Sequence, residues 1–268
     1  MLITGGGTGL GRASALELAR CGAHVFIAGR RREVLDEAAR QVTETAQAAR
    51  VDVVAGDIRE PADAARMVAT VVQEHGRLDV LVNNAGGQYF VPAEAITEKG
   101  WQAVWRLNLE GTVNMTNAAV EGSMRARGSG SVVNVTFSPH HGLPGMTHSG
   151  AARAAVEAWT RAQARDWLDL GITLVAVAAG HFETEAIAKY PEAVRAGAAR
   201  SVPIGRLGRP EEHAWLIALL CSPLGRALNG SVVTLDGARD NWFGPWPPAD
   251  LVGAAGDVPT EERRGVSG

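Results

Sequence analysis

Short runs of β-branched and aliphatic residues alternate with longer, alanine-rich amphipathic stretches from one end of the chain to the other. The short runs predict strands at Leu2 to Ile3, His24 to Ala28, Val51 to Ala55, Val80 to Val82, Ser131 to Phe137, Thr173 to Ala178 and Val232 to Leu235. Between them, helical spacing predicts helices that begin near Gly9, Glu33, Pro61, Lys99, Ser149 and Pro210. Strand and helix taken in turn in this way build a parallel sheet covered by helices on both faces, so the expected fold is α/β, one doubly wound domain with a seven-stranded parallel sheet. That domain is expected over residues 1–237, with a helical lid at about 183–200 and a Pro- and Trp-rich extension over residues 238–268. The first strand has only two or three residues before a glycine loop, where about five or six are usual, which leaves room for a start upstream of Met1.

Composition narrows the function classes. The 268 residues are 46% hydrophobic and 21% charged, an ordinary globular ratio. A net charge of -3, with no basic run longer than Arg30-Arg31-Arg32, offers no footprint for nucleic acid or an anionic membrane. Cys21 and Cys221 belong to no C-x-x-C pair and are expected to be buried small hydrophobes. No apolar run approaches the ~20 residues of a membrane helix, and no basic leader precedes the first strand, so the expected location is cytoplasmic.

The loop Thr4-Gly5-Gly6-Gly7-Thr8-Gly9-Leu10-Gly11 joins the first strand to the first helix. Small residues there let a backbone turn sharply and a pyrophosphate approach a helix N-terminus, which makes this a dinucleotide loop with Gly5, Thr8, Gly9 and Leu10 as contacts. The second strand ends at Ala28-Gly29-Arg30, where a carboxylate would select the ribose 2′-hydroxyl of NAD. No acid stands there. Arg30, backed by Arg12 or Arg31, suits a 2′-phosphate, so NADPH is the expected cofactor. Asp57 and Asn83-Asn84-Ala85-Gly86 follow the third and fourth strands, at the carboxyl edge where open α/β sheets bind ligands.

These motifs, with Asn108 in Leu107-Asn108-Leu109-Glu110-Gly111-Thr112 and the stretch Ile204 to Glu212, resemble the short-chain dehydrogenase/reductase family over roughly residues 1 to 240. The resemblance implies a Rossmann domain in which Asp57 and Ile58 meet the adenine. It also implies that Asn84, Ala85 and Gly86 back the adenosine ribose, and that Gly180, Phe182 and Thr184 border the nicotinamide. A homotetramer built through four-helix interfaces is implied too. Apolar residues such as Trp105, Val156 and Trp159 on more than one helix face agree with that assembly.

The family's tyrosine and lysine, four residues apart, are absent. Their places are taken by Ser149 and Arg153 in His148-Ser149-Gly150-Ala151-Ala152-Arg153. A serine hydroxyl is too weak an acid to replace a phenol, and a guanidinium with pKa above ~12 relays no proton. Three residues on from Asn134 lies Phe137 rather than a serine, and Ser138 is the nearest choice for the missing hydroxyl. The string from His148 to Ala154, together with Gly87-Gln88-Tyr89-Phe90 and Asp240-Asn241-Trp242, resembles the peroxisomal trans-2-enoyl-CoA reductase and 2,4-dienoyl-CoA reductase branch. Chemistry agrees. Ketone reduction leaves an alkoxide that needs an acid at once, whereas enoyl-thioester reduction at Cβ leaves a stabilised enolate that needs donors at its oxygen. The expected roles are then Ser138 at the thioester oxygen, Arg153 at the nicotinamide ribose, and Asn108 in a structural, water-holding position. His140, His141 and His148 are candidate proton donors, and Tyr89 is a candidate wall of the acyl pocket. Two alternatives stay open: a 3-oxoacyl or secondary-alcohol dehydrogenase with a histidine acid, and a catalytically silent NADPH sensor or scaffold. No metal is expected.

Overall fold

The computed structural model describes residues 1–241 apart from 47–48, 139, 143 and 189–191. The Trp- and Pro-rich stretch from Trp242 onward, expected to be an extension, lies outside the described residues. Seven parallel strands form one sheet in the order β3-β2-β1-β4-β5-β6-β7. They are β1 (Leu2–Thr4), β2 (His24–Gly29), β3 (Arg50–Ala55), β4 (Val80–Asn83), β5 (Gly130–Phe137), β6 (Ile172–Ala179) and β7 (Val232–Leu235). Each lies within one residue of its predicted ends.

Three residues suffice for the central strand because both of its faces are covered. Leu2 and Ile3 are fully buried and point to opposite sides of the sheet, Leu2 into a core with Phe26, Met67 and Met115, Ile3 into one with Val25, Ile27 and Leu18. Burying each such side chain contributes about 1.5–3 kcal/mol, enough to hold a short strand in register with Phe26 and Leu81. The chain order reverses between β1 and β4, and that switch point opens a crevice at the carboxyl ends of the strands.

The helices are α1 (Gly9–Arg20), α2 (Arg32–Thr45), α3 (Pro61–His75), α4 (Glu98–Trp105), α5 (Gly111–Ala119), α6 (Arg125–Arg127), α7 (Thr147–Asp166), α8 (Glu185–Ala188), α9 (Glu192–Arg200) and α10 (Pro210–Cys221). The helix predicted from Lys99 is interrupted by two π turns, Arg106–Glu110 and Val120–Met124, which link α4, α5 and α6. Periodicity is blind to such insertions, and the first of them carries Asn108. The stretch expected to form a lid contains two short helices, α8 and α9. The cysteines depart from expectation: Cys21, at the end of α1, is exposed and Cys221 is half-buried. Among the described residues, no helix is long and apolar enough to cross a membrane.

Candidate active site

A cleft of about 610 Å³ lies over the carboxyl ends of the strands. Every residue assigned from sequence to the cofactor lines it, from Gly5, Thr8, Gly9 and Leu10 through Arg30, Asp57 and Ile58 to Asn84, Ala85, Gly86, Arg153, Gly180, Phe182 and Thr184. The glycine loop is built for close approach. Gly5 and Gly9 have φ of +65° and +51°, and a Cβ on Gly11 would lie 2.3 Å from the Gly5 carbonyl oxygen. The loop is fixed from the next strand: Asn84 donates through Nδ2 to the carbonyls of Thr4 and Gly5 (3.0 and 3.2 Å), and Thr4 Oγ1 accepts from the amides of Asn84 and Ala85. Thr4 was not singled out from sequence; its signal is a polar residue at the end of an apolar strand.

The N-terminus of α1 has no side-chain cap from Thr8. Instead the Gly9 amide donates to Glu185 Oε2 at 3.0 Å, and the other oxygen of Glu185 pairs with Arg12. A carboxylate from α8 therefore stands in as an anion at the positive end of a helix dipole, so the loop and helix end fit a pyrophosphate. Arg12 is also held by Gln41. Of the two arginines named as backing for Arg30, only Arg31 lines the cleft beside it. Asp57 is held well below the ordinary carboxylate range by hydrogen bonds from the Arg59 guanidinium.

At the other end of the cleft the side chains are committed to one another. Asn108 donates to the carbonyls of Gly87 (2.8 Å) and Val104 (2.9 Å) and accepts from the Gly87 amide (3.1 Å), so its amide positions the loop after β4. Arg153 on α7 is only 7% exposed, and its Nη1 donates to the Val135 carbonyl at 2.7 Å. Its Nε has no hydrogen-bond partner, and no carboxylate pairs with the guanidinium among the described residues. A Cβ on Gly86 would fall 1.8 Å from Arg153 Nη2, which is why glycine closes the tetrad. Burial pushes the Arg153 pKa down to about 10, below the range expected from sequence, yet the side chain is still a cation at neutral pH.

Ser138, expected from the sequence at the thioester oxygen, directs its hydroxyl to a carboxylate. It is 1% exposed, off the cleft wall, and its hydroxyl donates to Asp236, which also accepts from the Asp240 amide. A hydroxyl donor next to a buried carboxylate turns to it, and sequence spacing cannot reveal that partner 98 residues away. Neighbouring Thr136 donates to Glu157 (2.7 Å); His140 Nε2 lies 3.1 Å from Glu157, and His140 Nδ1 lies 2.5 Å from Asp240. Burial works to lower the His140 pKa, but the hydrogen bond to Asp240 and the charge of Glu157 hold it above the ordinary value. Sequence gives no role to Glu157, Asp236 or Asp240, although Asp240 opens a motif that carries the resemblance.

Ser149 is fully buried, with its hydroxyl 3.4 Å from Gln88 Oε1, and Gln88 lines the cleft. His148 is 1% exposed; neither ring nitrogen has a partner, and burial lowers its pKa. The edge of one ring meets the face of the other between His148 and Tyr89, 4.6 Å apart, which leaves Tyr89 half on the surface at 41% exposed.

Comparison with known proteins places this geometry. Residues 5–238 match the family model described as enoyl-(acyl carrier protein) reductase. A probable 2,4-dienoyl-CoA reductase of Bacillus subtilis (strain 168) is 38% identical over 253 residues, 92% of this chain and 98% of that protein. A 3-oxoacyl-(acyl-carrier-protein) reductase of Thermotoga maritima is 35% identical, covering 88% of this chain and 95% of that protein. Among solved structures, a variant of actinorhodin polyketide ketoreductase with NADPH superposes with a TM-score of 0.85 at 28% identity, covering 90% of this chain and 97% of that one. The chain is a member of the short-chain dehydrogenase/reductase family, an oxidoreductase by fold and by sequence.

Proposed function

We propose that this protein is an NADPH-dependent reductase of an enoyl or dienoyl thioester. The observation that carries the reading is Arg153: a buried guanidinium with an unpartnered Nε and no carboxylate partner among the described residues, on the wall of the cleft where the family has a lysine. A buried uncompensated charge costs several kcal/mol, and a ligand with acceptor oxygens offsets that cost. No phenol accompanies it, so the site holds a negative charge better than it delivers a proton.

Gly5, Thr8, Gly9 and Leu10 would hold the pyrophosphate, Arg30 with Arg31 the 2′-phosphate, Asp57 and Ile58 the adenine, Asn84 to Gly86 the adenosine ribose, and Gly180, Phe182 and Thr184 the nicotinamide. When bound, the cofactor supplies hydride to Cβ of the substrate. Arg153 binds the ribose hydroxyls at that end of the cleft, and its charge lowers the energy of the enolate left on the thioester. Gln88 adds an amide donor on the same wall, oriented by Ser149. Asn108 keeps the loop from Gly86 to Gln88 in place. Ser138 braces Asp236 and, through it, the segment after β7, and is not the donor at the thioester oxygen. The Cα proton then comes from solvent, because the reaction needs no acid in the hydride step.

Relatives whose names specify dienoyl-CoA and 3-oxoacyl thioesters support an acyl-thioester substrate. A 3-oxoacyl reductase is the second reading, favoured by one feature: His148, buried beside Ser149 with both ring nitrogens free of partners. The silent-sensor reading is disfavoured because a sensor of the adenosine half has no use for a buried cation at the far end. We place the enzyme in the cytoplasm as a homotetramer, for which light scattering should give four times the chain mass. The decisive assay is product analysis: trans-2-enoyl-CoA with NADPH deuterated at the transferred position should yield saturated acyl-CoA carrying deuterium at Cβ. No saturated product, with deuterium instead on the 3-hydroxy carbon from a 3-oxoacyl-CoA, would overturn the proposal.

A further inference from the structure

Far from the cleft, at the amino-terminal edge of the sheet, three side chains from three elements converge. His24 opens β2, Asp52 lies in β3, and His75 ends α3, which runs back past the strands that precede it. Asp52 Oδ2 is 2.6 Å from His24 Nε2 and 3.9 Å from His75 Nε2, and one donor atom from each of the three lies within 4.8 Å of the others. The two imidazole centroids are 3.8 Å apart, and both rings pack on the buried Phe26, at 5.5 and 5.1 Å. Phe26 is 1% exposed and part of the core, so it is a fixed wall behind both rings.

A hydrogen bond accounts for His24 with Asp52, and a histidine in the last turn of α3 complements the helix dipole. Neither accounts for two imidazoles held against each other with a ring nitrogen of each brought toward the same carboxylate oxygen. Two imidazole nitrogens and one carboxylate oxygen are a donor set suited to zinc and its neighbours in the transition series, whereas calcium and magnesium need oxygens alone.

We propose that His24, Asp52 and His75 form a divalent transition-metal site, selective for zinc over calcium and magnesium, with water completing the tetrahedron. Ligands about 2.0–2.2 Å from a tetrahedral zinc stand roughly 3.3 Å apart, so the present donors need shifts of about 1 Å. The side chains have that freedom, being 25%, 48% and 32% exposed for His24, Asp52 and His75, and the same exposure gives the ion a path from solvent. The ion would clip β2, β3 and α3 together. None of the three residues lines the cofactor cleft, so the effect is on stability and not on turnover.

The full-length protein, stripped with EDTA, is titrated with zinc chloride by calorimetry and native mass spectrometry. One zinc per chain is expected, with a rise in Tm that EDTA reverses and that calcium or magnesium does not produce. His75→Gln and Asp52→Asn, at half-exposed positions, should keep the far-ultraviolet circular dichroism and the NADPH affinity of the parent. Each should weaken zinc at least about tenfold, since even residues behind the ligands cost that much in established sites. The proposal is overturned if the parent fails to bind at about 100 µM zinc, or if binding survives both substitutions, which would put the ion elsewhere.

Discussion

The two ends of the cleft are held in shape by different means. At the end with the glycine loop, backbone does the shaping: glycines with positive φ, a helix N-terminus and strand ends whose positions follow from the sheet. Around the reaction end, side chains do it: Asn108 on the Gly87 loop, Ser138 on Asp236, and Thr136, Glu157, His140 and Asp240 in one chain of contacts. Backbone sites tolerate sequence change as long as glycines and strand ends stay put, whereas a side-chain network redefines every member when one is altered. In this protein Arg153 and Ser149, which stand where the family has lysine and tyrosine, lie beside that network and not in it: Arg153 donates to the Val135 carbonyl and Ser149 to Gln88.

The sharpest way to break this contrast is Arg153→Ala, which should lower kcat/KM for the enoyl thioester by about 10²- to 10³-fold, the usual loss for an electrostatic stabiliser, while Arg153→Lys restores part of it. A loss under threefold would mean the reaction end does not depend on this cation. Next is Arg30→Asp, at the other end, which should shift the NADPH to NADH preference by roughly 10- to 100-fold without changing kcat for the preferred cofactor, because a charge-assisted fork to the 2′-phosphate contributes about 1.5–3 kcal/mol. Steady-state kinetics with both cofactors check it.

A smaller effect is expected where the two ends meet. Glu185 occupies the amide at the start of α1, so the pyrophosphate must displace it. Removing the competing charge with Glu185→Gln should tighten NADPH by about two- to fivefold, in line with 0.3–1 kcal/mol for an anion at a helix end. Fluorescence titration would show it, and weaker binding would mean that Glu185 serves the cofactor.

The smallest effect concerns pH. His140 is held above its ordinary value of 6.5 in the folded protein. Its contribution is therefore complete below that value and is lost as pH rises through the folded pKa. Thermal melts should show the parent losing stability relative to His140→Asn as pH increases from slightly acid to alkaline. A difference that grows toward alkaline pH instead would reverse the assignment.

How much was legible follows from the same contrast. The strands, the switch point and the residues that line the cleft could be read because glycine spacing and apolar runs are local signals. Asn108 was found as a residue, but the π turn that aims it leaves no mark on periodicity. Counting from Asn134 points to Ser138, yet the orientation of its hydroxyl is set by Asp236, which follows β7. The buried Asn83 to Asn134 to Thr160 ladder was hidden for a similar reason, because its members lie in three different elements and each reads alone as a polar residue in an apolar run.

The central claim, that this site stabilises an enolate and lacks the acid for an alkoxide, is tested most directly by one comparison. With NADPH as cofactor, kcat/KM is measured for a trans-2-enoyl-CoA and for the 3-oxoacyl-CoA of the same chain length. The enoyl substrate should be preferred by at least about 100-fold, the lower range of what a general acid contributes to carbonyl reduction. Equal rates, or preference for the 3-oxoacyl thioester, would contradict the claim and assign the missing acid to His148.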